Sequence, residues 1–320
     1  MMKYFLYILL GYTINCFSQQ TGQFTQYTFN KYGYNPAAAG TNINSKLEVI
    51  AGIRKQWIGF PNAPSATFFS GNYTFKPERS YKRWHNAGIY ISNEKVGAFQ
   101  NFAAYGSYTL HMPLTYKYNI SFGIFLGVRR FSLTNGILSP YDPVYDVTSP
   151  INFFAYPDFI PGIRIYNKKM FFDISVQQIY KNRREQGYEQ IGHQSFLVQQ
   201  LYVTYGKRFF LENGFTLVPS VNMHTSYISI PSVELNIMAF YVKRIGIGVS
   251  IRNKDFISGI LQLRFGKKSM IGFSYDYSIN KFNSLAPSTL ELMIGLTPLM
   301  MSEASYGKNR SNKCPNFDFN

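Results

Sequence analysis

The sequence predicts an all-β protein, a closed outer-membrane β-barrel that crosses the membrane with about fourteen antiparallel strands. Three observations support this fold class. The 320 residues are 46% hydrophobic and 18% aromatic but only 15% charged. Regular stretches alternate between apolar and polar residues with a period of two. The two longest connections between these stretches are both odd-numbered along the chain, so they lie at the same end of the predicted barrel. Alternating segments of about ten residues, separated by turn residues, are the expected signature of an outer-membrane barrel.

The composition excludes several other classes of protein. A chain this apolar buries enough surface to fold, so disorder is not expected. Two cysteines cannot form a disulfide framework, and no metal-type cysteine spacing occurs. The net charge of +16 suggests nucleic acid only if basic residues gather on one face between stacking aromatics. Tyrosine and phenylalanine instead follow strand ends and outer faces, so we expect outer-membrane lipid, and no nucleic acid, as a partner.

Residues 1–18 have the pattern of an export signal. Lys3 supplies a positive start, Tyr4 to Tyr12 form an apolar stretch, and Cys16-Phe17-Ser18 precedes polar residues. Roughly fifteen apolar-leaning residues are too few for a comfortable spanning helix. Lipidation of Cys16 is an alternative, although Thr13-Ile14-Asn15 lacks the small residue usually found before a lipidated cysteine. We expect a cleaved signal peptide and an exported mature chain.

The alternating segments are the main evidence for strands. In one of them, Ile245, Ile247, Val249 and Ile251 alternate with small or polar residues. The segments lie near residues 46–56, 65–75, 86–95, 101–112, 116–130, 158–167, 169–179, 195–207, 214–224, 231–242, 244–252, 256–266, 269–278 and 288–298. A soluble β-sandwich is the alternative, but it would have to hide its apolar faces in one core and rarely needs so many long strands.

Connection lengths orient the predicted barrel. If the first strand runs outward from the periplasm, the two longest connections, 131–157 and 180–194, face outside. Short periplasmic turns and longer outer loops are the rule in such barrels. We therefore expect a barrel over residues 46–298, an N-terminal segment at its mouth or as a plug over residues 19–45, and a periplasmic tail over residues 299–320.

Much of the positive charge falls at the predicted periplasmic connections. The residues that define this basic rim are Lys82, Arg83, Lys168, Lys169, Lys267 and Lys268. The simpler interpretation is that turns need soluble side chains. The sharper hypothesis is that the rim attracts an acidic periplasmic partner over a long range.

Charged residues also lie within the strands, on their polar faces. They are Glu48, Arg54, Arg164, Asp173, Arg244, Arg252, Arg264, Asp276 and Glu291. A charge that faces lipid is unfavourable, so we expect these side chains to point into the lumen and pair across strands. Glycines on the same face would leave room for bulky neighbours or a plug. The charges then hold a narrow or blocked lumen together, and a substrate-selective channel is the alternative.

The sequence contains no strong catalytic or metal-binding motif. Its four histidines are scattered, and none has metal-ligand spacing with another ligand residue. Ser220 and His224 are the nearest candidates for a nucleophile and its base, but ordinary lumen or rim roles explain both. We expect no enzymatic activity, no cofactor and no metal.

Several short motifs occur in a fixed order near the N-terminus. They are Gln26-Tyr27-Thr28-Phe29-Asn30, Asn35-Pro36-Ala37-Ala38-Ala39-Gly40, Arg54-Lys55-Gln56-Trp57-Ile58-Gly59 and Pro61-Asn62-Ala63-Pro64. As a set they resemble the PorP/SprF family, outer-membrane proteins of Bacteroidetes associated with type IX secretion and gliding motility. The matching positions include Asn35, Pro36, Gly40, Arg54, Gln56, Trp57 and Gly59. Near Glu291 the family tends to have His-Glu, where this sequence has Leu290-Glu291.

The resemblance implies a component or accessory of type IX secretion in the outer membrane. Such a protein would hold or help export a surface protein, such as an adhesin, and dock a periplasmic secretion or peptidoglycan-associated protein. On this basis Trp57, Phe60, Pro61 and Pro64 are candidates for contact with the client at the outer mouth. A purely structural N-terminal motif is the alternative for these residues, and a porin for small solutes is the alternative function. An open lumen would distinguish the porin.

Overall fold

The fold is described from a computed structural model of the chain. It describes residues 22–42, 45–75, 83–133, 153–179, 198–226, 231–242, 244–253, 256–266, 268–279 and 288–299. The expected signal peptide lies outside these ranges, as do Lys82, Lys267, most of the two longest connections and the tail beyond residue 299. Within the described ranges, no helix is both long and apolar enough to cross a membrane.

The described residues form fourteen long strands. These are β1 Leu47–Gln56, β2 Ser65–Phe75, β3 Trp84–Val96, β4 Phe99–Pro113, β5 Asn119–Leu133, β6 Phe153–Tyr166, β7 Met170–Gln177, β8 Gln200–Lys207, β9 Phe215–Thr225, β10 Ser232–Tyr241, β11 Ile245–Arg252, β12 Phe256–Phe265, β13 Ser269–Ser278 and β14 Ser288–Leu296. A two-residue strand, Phe209–Phe210, pairs with β9. Each long strand is antiparallel to its neighbours in the chain.

The sheet closes on itself because β14 pairs with β1. In this register Arg54 lies opposite Glu291, and Val49 lies opposite Leu296. A closed sheet satisfies its backbone hydrogen bonds without a free edge, which a strand-built membrane protein requires. The predicted all-β class and the fourteen-stranded barrel are confirmed, and the strands overlap the predicted segments.

Side chains alternate between the two faces of the barrel wall, with the apolar face outside. Along β11, Ile247 and Val249 are exposed while Gly248 and Ser250 are buried. An apolar outer band with a polar interior is the reverse of a soluble protein and matches a lipid environment. Arg244 differs from expectation, because it is exposed in a tight turn in which its N–H bonds to the Tyr241 carbonyl.

The N-terminal segment, residues 22–42, lies inside the barrel. It contains helix α1, Lys31–Tyr34, and a 3-10 turn, Pro36–Ala38. Tyr32 and Ala37 are buried against the inner wall with 1% and 0% exposure. The lumen is therefore filled by protein at the depth of this segment.

The segment runs along the lumen from one end to the other. Gly22 lies beside Ala66 and Glu94, which belong to the outer ends of β2 and β3 in the orientation set by connection length. The segment ends near the start of β1, where the Lys46 N–H bonds to the Leu299 carbonyl. The chain therefore enters the lumen near its outer end and leaves it at the periplasmic end.

Candidate functional site

The Asn35–Gly40 turn holds the N-terminal segment to the inner wall. The Asn35 side chain caps the 3-10 turn by accepting from the Ala37 N–H at 2.9 Å, and its amide donates to the Ile163 carbonyl at 3.0 Å. Gly40 has a φ of +67°, a conformation that glycine adopts without strain. Its carbonyl accepts a hydrogen bond from Trp84 Nε1 at 3.2 Å. These contacts fix the turn at the periplasmic end.

Two wall glycines make this close approach possible. A Cβ at Gly123 would lie 2.3 Å from the Ala37 nitrogen, and one at Gly162 would lie 2.0 Å from Asn35 Oδ1. Both distances are well inside van der Waals contact, and the first is to backbone, which cannot rotate away. The turn can therefore lie this close to the wall only because Gly123 and Gly162 have no side chain.

A buried charge cluster holds the outer end of the segment. Arg54 Nη1 donates to Asp276 Oδ2 at 2.7 Å and also bonds to Glu291. The Thr25 N–H donates to Glu291 Oε1 at 2.7 Å, and the Thr25 hydroxyl donates to Asp276 at 2.9 Å. Arg252 donates to the Thr25 hydroxyl at 3.2 Å. Charge-assisted hydrogen bonds of this kind are stronger than neutral ones, so Thr25 is firmly held.

Other inward charges pair in the same way. Arg252 bonds to Glu234 at 2.8 Å, Arg129 to Asp158 at 3.3 Å, and Arg164 to Asp173 at 2.9 Å. The inward orientation expected for Arg54, Arg164, Arg252, Asp173, Asp276 and Glu291 is the one observed. These three pairs join neighbouring strands of the wall.

Lys31 is a cation of the N-terminal segment that lies among these pairs. Its ammonium donates to Thr41 Oγ1 at 2.8 Å. Removal from water, followed by repulsion from Arg164, lowers the pKa of Lys31 to about 7, while Glu48 and Asp173 act in the opposite direction. The side chain remains only half-buried, because a cavity beside it admits solvent.

Ser220 and His224 are not bonded to each other. Ser220 Oγ lies 2.7 Å from the Tyr27 hydroxyl, and His224 Nε2 lies 3.0 Å from Gln200 Oε1 while Nδ1 contacts Gln23. Both residues therefore hold the N-terminal segment. In the part of the chain that the structure describes, no three His, Cys, Asp or Glu side chains gather around a possible metal site.

The outer mouth presents apolar side chains in the β1–β2 loop. Trp57 and Phe60 are 42% and 46% exposed, and Pro61 is exposed beside them. Gly59 adopts a φ of +101°, which shapes the loop. Pro64 is buried, and its carbonyl accepts from the Gln56 N–H at 2.9 Å. Of the four predicted contact residues, Trp57, Phe60 and Pro61 are therefore accessible, and Ile58 is exposed beside them at 41%.

The described members of the basic rim lie at one end of the barrel. Arg83 precedes β3, Lys168 and Lys169 lie between β6 and β7, and Lys268 lies between β12 and β13. Arg83, Lys169 and Lys268 are exposed, and Lys168 is half-buried. All four belong to connections at the end of the barrel that connection lengths predict to be periplasmic.

Sequence reasoning missed the residues that fasten the segment at its outer end. Gln23 and Thr25 bond to wall residues more than 200 positions away. Neither belongs to a periodic pattern, because the segment is neither a strand nor an amphipathic helix. The only available signal was the order of the motifs that follow them.

Comparison with known proteins identifies the family. The family model for the type IX secretion system membrane protein PorP/SprF matches residues 16–296. The chain belongs to the PorP/SprF family. The resemblance noted in the N-terminal motifs is thus confirmed over most of the chain. No curated protein matches significantly.

Solved structures with a similar fold are outer-membrane barrels of very different sequence. The toluene transporter TbuX of Ralstonia pickettii gives a TM-score of 0.55 at 10% identity over 85% of this chain and 94% of that one. The toluene transporter TodX of Pseudomonas putida gives 0.48 at 9% identity over 87% and 94%. Omp33 of Acinetobacter baumannii gives 0.46 at 7% identity over 80% and 100%.

At such low identity, TbuX shares the fold alone, and the two lower scores carry no argument. Fold and family together place this PorP/SprF protein in the outer membrane. The matched family is one of secretion-system membrane proteins, and TbuX is described as a toluene transporter.

Proposed function

We propose that this PorP/SprF protein serves type IX secretion as a plugged barrel that holds a secreted client at its outer mouth. The observation that carries the proposal is the filled lumen. The N-terminal segment is fastened at both ends, by Thr25 among buried charges and by Asn35 and Gly40 on the wall. A barrel whose interior is fixed in this way presents two surfaces rather than a passage.

The outer surface offers contact for a protein. Trp57, Phe60 and Pro61 lie in a loop just beyond the outer end of β1 rather than on a strand face. Aromatic side chains of this kind are typical anchors of protein interfaces. The predicted outer connection 131–157 is shorter in the structure, because residues 131–133 belong to β5 and residues 153–157 to β6. We include the remainder of this connection, and the predicted connection 180–194, in the client-binding mouth.

The periplasmic surface offers charge. Arg83, Lys168, Lys169 and Lys268, with Lys82 and Lys267 expected beside them, form a basic rim that would attract an acidic periplasmic secretion or peptidoglycan-associated protein. Exposed charges act mainly on association rate and are screened by salt. We therefore expect the periplasmic complex to weaken as ionic strength rises.

The filled lumen counts against the alternative of a porin for small solutes. A passive porin needs a continuous water-filled path, and residues 22–42 occupy the interior. Single-channel conductance in planar bilayers separates the two functions, because the plugged barrel should show no steady open state.

The client-holding role is tested by surface display. Deletion of the gene should reduce display of at least one type IX client, and Trp57→Ser with Phe60→Ser should reduce it in part. Leu114→Ser with Tyr116→Ser is the matched control, since these exposed residues occupy a periplasmic turn. Normal display of every client in the deletion strain would falsify the proposal.

The docking role is tested by co-purification from membranes. Lys168→Glu, Lys169→Glu and Lys268→Glu should together lower recovery of periplasmic proteins with the barrel. Lys55→Glu with Lys95→Glu, at exposed positions near the outer ends of β1 and β3, is the control. Equal recovery from both variants would rule out a role for the rim.

A further inference from the structure

Two lysines lie side by side on the lipid-facing side of the wall, at the outer end of the barrel. Lys55 on β1 and Lys95 on β3 are both directly opposite Ser65 on β2. Neighbouring strands are about 4.8 Å apart, so the two lysine Cα atoms are separated by about 10 Å. Both side chains are exposed, whereas their neighbours in the chain, Arg54 and Glu94, face the lumen. Since lysine side chains are long and flexible, the two ammonium groups can meet in front of Ser65.

No acidic side chain lies beside these lysines in the part of the chain that the structure describes. The described acidic residues of the strands all point into the lumen, and they are Glu48, Glu94, Asp158, Asp173, Glu234, Asp276 and Glu291. Glu212 lies in the connection after β8, at the opposite end of the barrel. Two neighbouring positive charges repel each other, and an anion placed between them replaces this repulsion with attraction.

The two lysines lie where the apolar band of the wall ends. Two residues before Lys55, Ile53 is 37% exposed on the same face, and four residues after Ser65 along β2, Phe69 is 42% exposed. Trp57 follows Lys55 on the outer side, and tryptophan is enriched at membrane–water interfaces. The stems of lysine side chains can lie along apolar surface while the ammonium groups stay in a polar layer. The ammonium groups therefore lie at the depth of the lipid headgroups.

The pair is confined to one sector of the wall. On the other side of β1, the same row of paired residues continues through Leu290 on β14, Tyr275 on β13 and Gly259 on β12, none of which is charged. Arg130 on β5 also faces outward, but it has further interactions of its own, so we leave it out of the site. Charges that served solubility alone would be spread around the outer end of the barrel. Two lysines on either side of one strand, next to a neutral sector, instead favour a binding site.

We propose that Lys55, Lys95 and Ser65 bind the phosphate of a lipid in the outer leaflet. A phosphate at headgroup depth would accept charge-assisted hydrogen bonds from both ammonium groups, and the Ser65 hydroxyl can donate between them. The acyl chains of the same lipid would cover Ile53 and Phe69. Because each lysine near a membrane surface adds attraction for anionic lipid, the pair favours a phosphate monoester over a zwitterionic headgroup. This site is independent of client holding, and its test contains no client.

The experiment measures which lipid lies beside Trp57. The chain has two tryptophans, and Trp57 is exposed next to the site while Trp84 is buried at 4% exposure. Lipids brominated close to the headgroup therefore quench mainly the fluorescence of Trp57. With the purified full-length barrel in phosphatidylcholine vesicles at low ionic strength, dibrominated phosphatidate should quench Trp57 at a roughly tenfold lower membrane fraction than dibrominated phosphatidylcholine does.

Two double variants locate the preference. Lys55→Gln with Lys95→Gln should abolish the preference for phosphatidate, because both charges of the site are lost. Lys46→Gln with Lys117→Gln removes the same charge from exposed positions at the periplasmic end and should retain the preference. Heat-modifiable migration on gels should show that every variant is folded.

Three results would overturn the proposal. The first is equal quenching of the wild type by the two brominated lipids, and the second is an equal loss of preference in both double variants, which would reduce the effect to net charge. The third is reversal of the phosphatidate preference by excess inorganic phosphate at matched ionic strength, because the site would then hold a free ion rather than a lipid.

Discussion

Arg54 on the first strand faces Glu291 on the last strand, directly across the seam where the barrel closes. The two side chains bond to each other. Glu291 also accepts a hydrogen bond from the Thr25 N–H of the N-terminal segment, and Arg54 also donates to Asp276, which is the other acidic partner of Thr25. Closure of the barrel and seating of the segment thus depend on one buried cluster. Since the three charges are removed from water together, the two carboxylates depend on the Arg54 cation between them.

We predict that Arg54→Met destabilises the barrel by about 3–5 kcal/mol, because it leaves two buried carboxylates without their cation. The loss should appear as a lower denaturant midpoint for the folded, heat-modifiable form. Arg54→Met combined with Asp276→Asn and Glu291→Gln should recover most of the stability, since no unpaired charge remains. A triple variant no more stable than the single one would contradict this account.

The strands were predictable because each carries its own signal. The alternation from Ile245 to Ile251 identifies a strand and its two faces without knowledge of any partner. The inward orientation of Arg54 and Glu291 also follows locally, since lipid disfavours charge. The ends of the strands were predicted less accurately than their positions. β5 ends at Leu133, three residues beyond the predicted segment, because pairing with β4 extends it.

The contacts of the N-terminal segment could not be predicted in the same way. Asn35 bonds to the Ile163 carbonyl across 128 positions of the chain, and no periodic pattern connects the two. Inward glycines such as Gly123 and Gly162 suggested room for a plug, but a plug was only one of two expected arrangements.

Gly123→Val is predicted to displace the N-terminal segment from the wall. A side chain there would overlap the backbone at Ala37, and rotation of a side chain cannot relieve that overlap. The variant should give conducting events in planar bilayers and admit large antibiotics into cells. Gly259→Val is the control, because nothing lies within 4 Å of a Cβ at that position. Silent bilayers from both variants would show that the segment tolerates the change.

Lys31 should make stability depend on pH. Its pKa of about 7 in the folded barrel lies below its value of about 10.4 in an unfolded chain. The unfolded chain therefore binds more protons between these values, and the free energy of unfolding should rise with pH across that window. The slope is at most about 1.4 kcal/mol per pH unit, and solvent access through the cavity reduces it.

Unfolding of the wild type, Lys31→Met and Lys117→Met at pH 7 and pH 9 measures this contribution. Lys31→Met should flatten the increase, whereas Lys117→Met should retain it, because Lys117 is exposed in the β4–β5 turn. The same increase in all three proteins would assign the pH dependence to other groups.

The direction of the N-terminal segment predicts that Gly22 is reached from the outside of the cell. A Cβ at Gly22 would lie 3.5 Å from Ala66 and 3.7 Å from the Glu94 carboxylate, which is ordinary contact, so a cysteine fits. In a Cys314→Ser background, Gly22→Cys should react with a membrane-impermeant maleimide on intact cells. Lys117→Cys, in a periplasmic turn, should react only after the outer membrane is permeabilised. If Gly22→Cys also needs permeabilisation, Lys117→Cys separates the two explanations: its reaction on intact cells means that the barrel is inverted, and its protection means that the outer end of the lumen is sealed above Gly22.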